Sequence, residues 1–274
     1  MPSSFKQSAR NALVTVDTAK GVAYEEECRV IEGVVAPGHQ SGSGSDVHFF
    51  AFTDWRFSGG PLVGRELTLL RRVPPSPDGR SFDSKHFESF PDYSIQRFSV
   101  LLSEDHRRAV VEKVLTADRR DKTLRQLSER LQEPVVVSTR RFGDLVLNRK
   151  LHWFEGKAKW NRHEVMLHLD PDEDGGIAGA IKTAESLWAD QAAWKRKVEQ
   201  FAVDHLLETK NDGWLAEGER EFTPAAFKRA MKLQSIHVYG DGGIEFWDDG
   251  SLFGNHAIHI HGTLKDGLTD VDVG

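Results

Sequence analysis

The sequence predicts an α+β protein built mainly on antiparallel sheets, with a long helix in its C-terminal half. Three observations carry that prediction. Short apolar runs alternate with polar residues at a period of two, as where Val165, Leu167 and Leu169 interleave with Glu164, Met166 and His168. Clusters of Gly, Pro, Ser and Asp punctuate those runs as turns. Few segments carry apolar residues at helical spacing, and the longest covers residues 178–209. A chain of 274 residues, 39% hydrophobic and 28% charged, is globular in composition and long enough for one large domain or two ordinary ones.

Residues 1–22 read as a tail with one short strand at 13–16. Residues 23–140 read as a small β-rich α+β domain with strands at 27–35, 47–52, 66–71 and 93–102. A flexible loop at 38–46, a tighter turn at 58–61 and an exposed connection at 74–79 separate them. Ser103, followed by Glu104 and Asp105, is expected to cap a helix, because carboxylates suit the first turn. Leu124, Leu127 and Leu131 form one apolar stripe of a further helix, which must stop by Glu133 because Pro134 follows. Residues 135–137 read as a short buried strand, and the domain junction is expected at 138–141.

The second domain, residues 141–274, opens with strands at 144–147, 151–156, 156–160 and 163–169, with a turn at Asn161-Arg162. In the long helix Ile181, Ala184, Trp188, Ala192, Val198, Phe201 and His205 fall near one face. Thr223-Pro224 is an N-cap followed by proline at the first helical position, opening a helix to about Lys232. Strands at 235–239, 243–247 and 256–262 close the chain, joined by Gly240-Asp241-Gly242 and Asp248-Asp249-Gly250, which have hairpin-turn chemistry.

Charge divides the halves. Residues 1–141 carry 21 Lys+Arg against 19 Asp+Glu (+2), and residues 142–274 carry 15 against 23 (−8). An acidic half repels phosphate backbones and steers basic proteins toward itself, so the partner expected is a protein, not nucleic acid. No apolar run is long enough to cross a bilayer, and the segment Met1–Gln7 lacks the apolar core of a secretory signal. The single cysteine, Cys28, excludes an internal disulfide framework and reads as buried filler. A cytosolic location is the expectation.

Several segments of the second half occur in a recognisable order. They are Phe142-Gly143-Asp144-Leu145, Trp153-Phe154-Glu155-Gly156, Leu206-Leu207-Glu208-Thr209-Lys210-Asn211-Asp212-Gly213-Trp214-Leu215, Glu245-Phe246-Trp247-Asp248-Asp249-Gly250-Ser251-Leu252-Phe253 and His256-Ala257-Ile258. Over residues 142–274 the chain resembles an uncharacterised bacterial family, domain of unknown function 2262. The resemblance implies a domain and no activity.

Candidate chemistry is sparse. Asp170-Pro171-Asp172-Glu173-Asp174-Gly175 opens like a calcium loop, but the twelfth position, which needs a bidentate Glu, is Ile181, so a solvated acidic turn is the reading. His256, His259 and His261 are the densest histidine group. On a strand His259 and His261 share a face, and zinc or another divalent metal would need a further ligand from Asp248, Glu245 or His237. Lys210-Asn211-Asp212-Gly213 reads as a helix stop. No nucleophile elbow, phosphate loop or dinucleotide fingerprint occurs.

Six of the seven tryptophans lie in the second half, and tryptophan is enriched where interfaces bind. The function expected is therefore a protein-binding module without cofactor, its specific form an immunity protein that neutralises a toxin. Its anchors are Trp214 and Trp247, with Glu245, Asp248 and Asp249 supplying charge. The alternative is a metal-assisted hydrolase centred on His256, His259 and His261.

Overall fold

A computed structural model describes residues 22–38, 40–41, 47–72, 90–172 and 175–274. The expected strand at 13–16, most of the 38–46 loop and the 74–79 connection lie outside the described residues. The chain divides into two compact units, Met1–Glu133 and Pro134–Gly274.

The first unit holds β1 (Arg29–Val35), β2 (Gln40–Ser41), β3 (Val47–Phe57), β4 (Leu67–Arg72), β5 (Ile95–Leu102), β6 (Arg108–Leu115) and α1 (Lys122–Gln132). The sheet runs β1-β5-β6-β4-β3-β2, and β1 also pairs with β3, so the five longer strands close into a barrel. Among the described strands of this sheet only β4 and β6 pair in parallel. Counting the ring strands alone in chain order, neighbours follow 1-2-3-5-4-1, the strand order of an OB-fold barrel, which speaks for fold and not for function. Gly33 permits the closure: a Cβ there would lie 2.7 Å from both the Asp54 carbonyl oxygen and the Phe52 ring on β3. Phe50, Phe52, Trp55, Phe90 and Phe98 fill the interior, with the Phe50 and Phe90 rings stacked at 4.9 Å and Phe52 and Phe98 at 5.4 Å.

Helix α1 begins where Asp121 accepts a hydrogen bond from the Leu124 N–H at 2.9 Å, ends before Pro134 as that proline requires, and packs Leu124 and Leu127 on Val34. Two expectations fail here. Ser103 caps no helix: its Oγ accepts from the Arg108 N–H at 2.9 Å, closing a tight turn that returns the chain as β6. A serine and two carboxylates suit that turn as well as a cap, and the Ala109, Val110 and Val111 run that follows supplies a strand. Cys28 is exposed, since it precedes β1 instead of pointing into the barrel.

The second unit has β7 (Val136–Thr139), β8 (Gly143–Asn148), β9 (Trp153–Trp160), β10 (His163–Leu169), α2 (Ala178–Ala189), α3 (Gln191–Gly213) and α4 (Pro224–Ala230). It continues with β11 (Leu233–Val238), β12 (Gly243–Asp248), β13 (Ile258–Thr263) and β14 (Gly267–Val273). These make one eight-stranded sheet in the order β14-β13-β12-β11-β10-β9-β8-β7. Every pairing is antiparallel except β10–β11, where the helices form the crossover. Strand β7 pairs with β8 and so belongs to the second compact unit, which starts at Pro134: a short apolar run does not say which sheet it joins.

One face of this sheet, with Val165, Leu167, Leu169, Ile236, Val238, Ile244, Phe246, Ile258 and Ile260, is buried in a single core with Ala184, Leu187, Trp188, Trp194, Val198 and Ala202 of α2 and α3. The long helix expected from 178 to 209 is two helices. Asp190, at φ −121° and ψ 34°, breaks it, and its carbonyl accepts from the Ala193 and Trp194 N–H groups to start α3. An apolar stripe does not register a one-residue break. Helix α4 ends at Ala230 with Met231 extended. A fourth closing strand, β14, went unread because Thr269, Asp270 and Asp272 give it a polar outer side.

Candidate functional site

The sheet's other face is a chemical surface. Alternation along β12 sends Ile244, Phe246 and Asp248 toward the helices, and Glu245 and Trp247 outward. The same pleat brings Trp153 and Glu155 from β9, His168 from β10, His237 from β11, and His259 and His261 from β13 to that outer side. Register then aligns them: Glu155 opposes His168, His168 opposes His237, His237 opposes Glu245, and Glu245 opposes His261. One row of two carboxylates and three imidazoles crosses five strands.

Glu245 is the hub. The Tyr239 hydroxyl donates to its Oε1 at 2.8 Å, the Trp247 indole N–H donates to its Oε2 at 3.0 Å, and His261 Nδ1 lies 3.1 Å from Oε1. Burial opposes the charge on Glu245, but those donors and the imidazoles of His261 and His237 outweigh it and hold the carboxyl below its ordinary range. Burial, then the Glu245 contact, pushes the Tyr239 hydroxyl up, so Tyr239 stays a donor.

The flank repeats the arrangement. The Trp153 indole donates to Glu155 Oε2 at 2.8 Å, joined there by Asn148 at 3.2 Å. His237 Nε2 lies 2.8 Å from Asp170 Oδ1. Rings bridge these anchors: Trp153 stacks on His168 at 4.5 Å and meets His237 edge-on at 4.8 Å, His237 stacks on Tyr239 at 4.5 Å, and Trp247 on His259 at 4.0 Å. Asp272 reaches His259 Nδ1 at 3.4 Å and His261 Nε2 at 3.2 Å. His168 makes no hydrogen bond among the described residues, and burial followed by repulsion from His237 lowers its pKa, so it is neutral. Aromatic rings are thus pinned edge and face by carboxylates and imidazoles before any ligand arrives.

The expected anchor set separates. Glu245 and Trp247 are central to this face. Asp248 faces the other way, buried, accepting from the Lys232 N–H, and burial followed by the Asp249 charge pushes its carboxyl up to about 6. Asp249 organises the turn, accepting from the Ser251 N–H at 2.9 Å. Trp214, 38% exposed, closes α3 and packs on Phe253 and His256. That contact also takes His256 away from His259 and His261. No group of three or more His, Cys, Asp or Glu side chains among the described residues is arranged to hold a metal ion. In the acidic turn the described carboxylates diverge, Asp170 to His237 and Asp172 to the Gly179 N–H at 3.2 Å.

Trp153, Glu155, His168, Asp170, His237 and Tyr239 were missed as a set. Each shows its outward phase in its own strand, but the Asp170–His237 pair joins residues 67 apart across the crossover, which no local pattern signals.

Residues 139–273 match the family model described as "Uncharacterized protein conserved in bacteria (DUF2262)". No curated protein matches. A solved structure described as "Molecular basis for abrogation of activation of pro-inflammatory cytokines" aligns at 11% identity over 58% of this chain and 84% of that chain, with a TM-score of 0.22, too low to carry an argument. Among the described residues no helix is long and apolar enough to cross a membrane.

Proposed function

We propose that this chain, whose C-terminal half is a domain of that uncharacterised bacterial family, is a protein-binding module that engages a basic partner through the outer face of its second sheet. Neutralisation of a bacterial toxin is the specific role we assign it. One observation carries the reading: Trp153, Tyr239 and Trp247 are half-buried rings whose polar atoms are already committed to Glu155 and Glu245. Rings locked before contact lose little freedom on binding, and tryptophan and tyrosine so held are typical interface anchors. Glu155, Glu245, Asp170 and Asp272 line the same face, within a half whose 15 Lys+Arg stand against 23 Asp+Glu. That balance favours a cationic partner and speeds its encounter.

The test is capture, on the immobilised full-length protein, of the basic proteins encoded beside its gene. Trp247→Ala should weaken capture about 30-fold, the effect of an anchor worth ~2 kcal/mol, while Trp214→Ala, off this face, leaves it unchanged. Raising the salt should slow association. Binding insensitive to Trp247 and to salt refutes the proposal, as does binding lost through Trp214 alone.

A further inference from the structure

A cavity of about 660 Å³ lies on the opposite side of the second sheet, between the starting ends of β10 and β11 and the helices α3 and α4. Its volume is that of a small-molecule site. The floor is apolar: Trp160, Val165, Val198 and Phe246 belong to the core, with Met231 and Leu233 half-buried beside them. Its rim is basic. Lys195, Lys228, Arg229 and Lys232 converge on it, in a half of the chain that is otherwise acidic.

The rim carboxylates leave part of that positive charge unbalanced. Glu164 is held by Lys157, outside the cavity, at 2.7 Å, and Glu199 is held by Lys195. Lys228 donates to the neutral Gln200, and Lys232 lies 3.5 Å from Asp249. Arg229 is exposed and makes no ion pair among the described residues. An aromatic and aliphatic floor under a rim with more cations than carboxylates suits one ligand chemistry: a ring-bearing organic anion, its apolar body in the cavity and its acidic head at Arg229 and Lys232. We infer that this cavity binds a small amphipathic aromatic anion, independently of the outer face.

A matched probe pair tests it on the full-length protein: 8-anilinonaphthalene-1-sulfonate and its uncharged parent ring system, N-phenyl-1-naphthylamine, each titrated by fluorescence. Arg229 and Lys232 extend exposed side chains into solvent, so Arg229→Gln/Lys232→Gln should fold unchanged. In that variant the sulfonate should bind about tenfold more weakly while the neutral probe binds as before. Met231→Trp, which fills the cavity, should weaken both probes, with the melting temperature reporting that the fold survives. Equal sulfonate affinity in the wild type and the double variant would overturn the inference. So would a parallel loss of both probes in the double variant, or sulfonate binding unchanged by Met231→Trp in a folded protein.

Discussion

The two units use aromatic residues in opposite ways. The first sheet closes on itself, so its inward face has nowhere to go but a shared interior, and Phe50, Phe52, Trp55, Phe90 and Phe98 are consumed there. The second sheet stays open. Its helices need only one face, where Trp160, Trp188 and Trp194 are buried, and the other face holds Trp153, Tyr239 and Trp247 outward on a carboxylate and imidazole lattice. Closure turns aromatic side chains into stability. An open sheet leaves Trp153, Tyr239 and Trp247 on its outer side.

The sharpest break of that comparison pairs one residue type across the units. Trp55→Ala, emptying the barrel interior, should cost about 3–5 kcal/mol, read as a lower urea midpoint. Trp247→Ala should cost about 1 kcal/mol, because solvent already reaches that ring. Equal losses would mean that the outer face is core in all but position.

Next in size is the lock that closes the helical layer. Lys210 is 3% exposed; its Nζ donates to the Trp214 carbonyl at 2.7 Å and to Glu219 at 2.9 Å, and lies 5.0 Å from the Phe222 ring centre. Lys210→Met keeps the volume but strands the carbonyl. Since Glu219 can rehydrate, the loss should be about 2 kcal/mol, with faster proteolysis at residues 215–221. The barrel has no such dependence if its rings hold it.

Buried carboxylates extend the contrast. In the barrel unit Glu32 is paired with Arg56 at 2.8 Å, whereas Asp248 forms no ion pair among the described residues. Its carboxyl rises from 3.8 to about 6, so the stability it contributes is full below pH ~4 and is lost as pH rises through ~6. Asp248→Asn should therefore stabilise by about 1–2 kcal/mol at pH 8 and by nothing at pH 4. A melting-temperature series across that range reads it.

Glu245 runs the other way. Its carboxyl is held below the ordinary range, so its contribution is present at neutral pH and fades as pH falls below the carboxylate range. Glu245→Gln should cost about 1 kcal/mol at pH 7, discounted for partial exposure, and the gap should narrow in acid. A gap that widened would place the hub's worth in packing instead of charge.

Legibility followed the range of the interaction. The alternation of residues 163–169 fixed β10 at its observed bounds and already put His168 on the wet side. Leu124, Leu127 and Pro134 delimited α1, and Thr223-Pro224 opened α4. The Asp190 break, the Ser103 turn and β14 were illegible because their residues serve two local structures equally well. Within the candidate site Glu245 and Trp247 were found through residue type, while Asp248 was misplaced by one step of the pleat.

By itself the sequence determined the fold class, the phase of each strong strand and the acid excess of the second half, since periodicity and charge are local or additive. Only the tertiary structure decided that β1 closes the barrel on β3 and that β10 lies beside β11. Strand partners are chosen by which apolar faces can be buried together, and that choice is written in no single segment. The row from Glu155 to His261 exists only because those partners met.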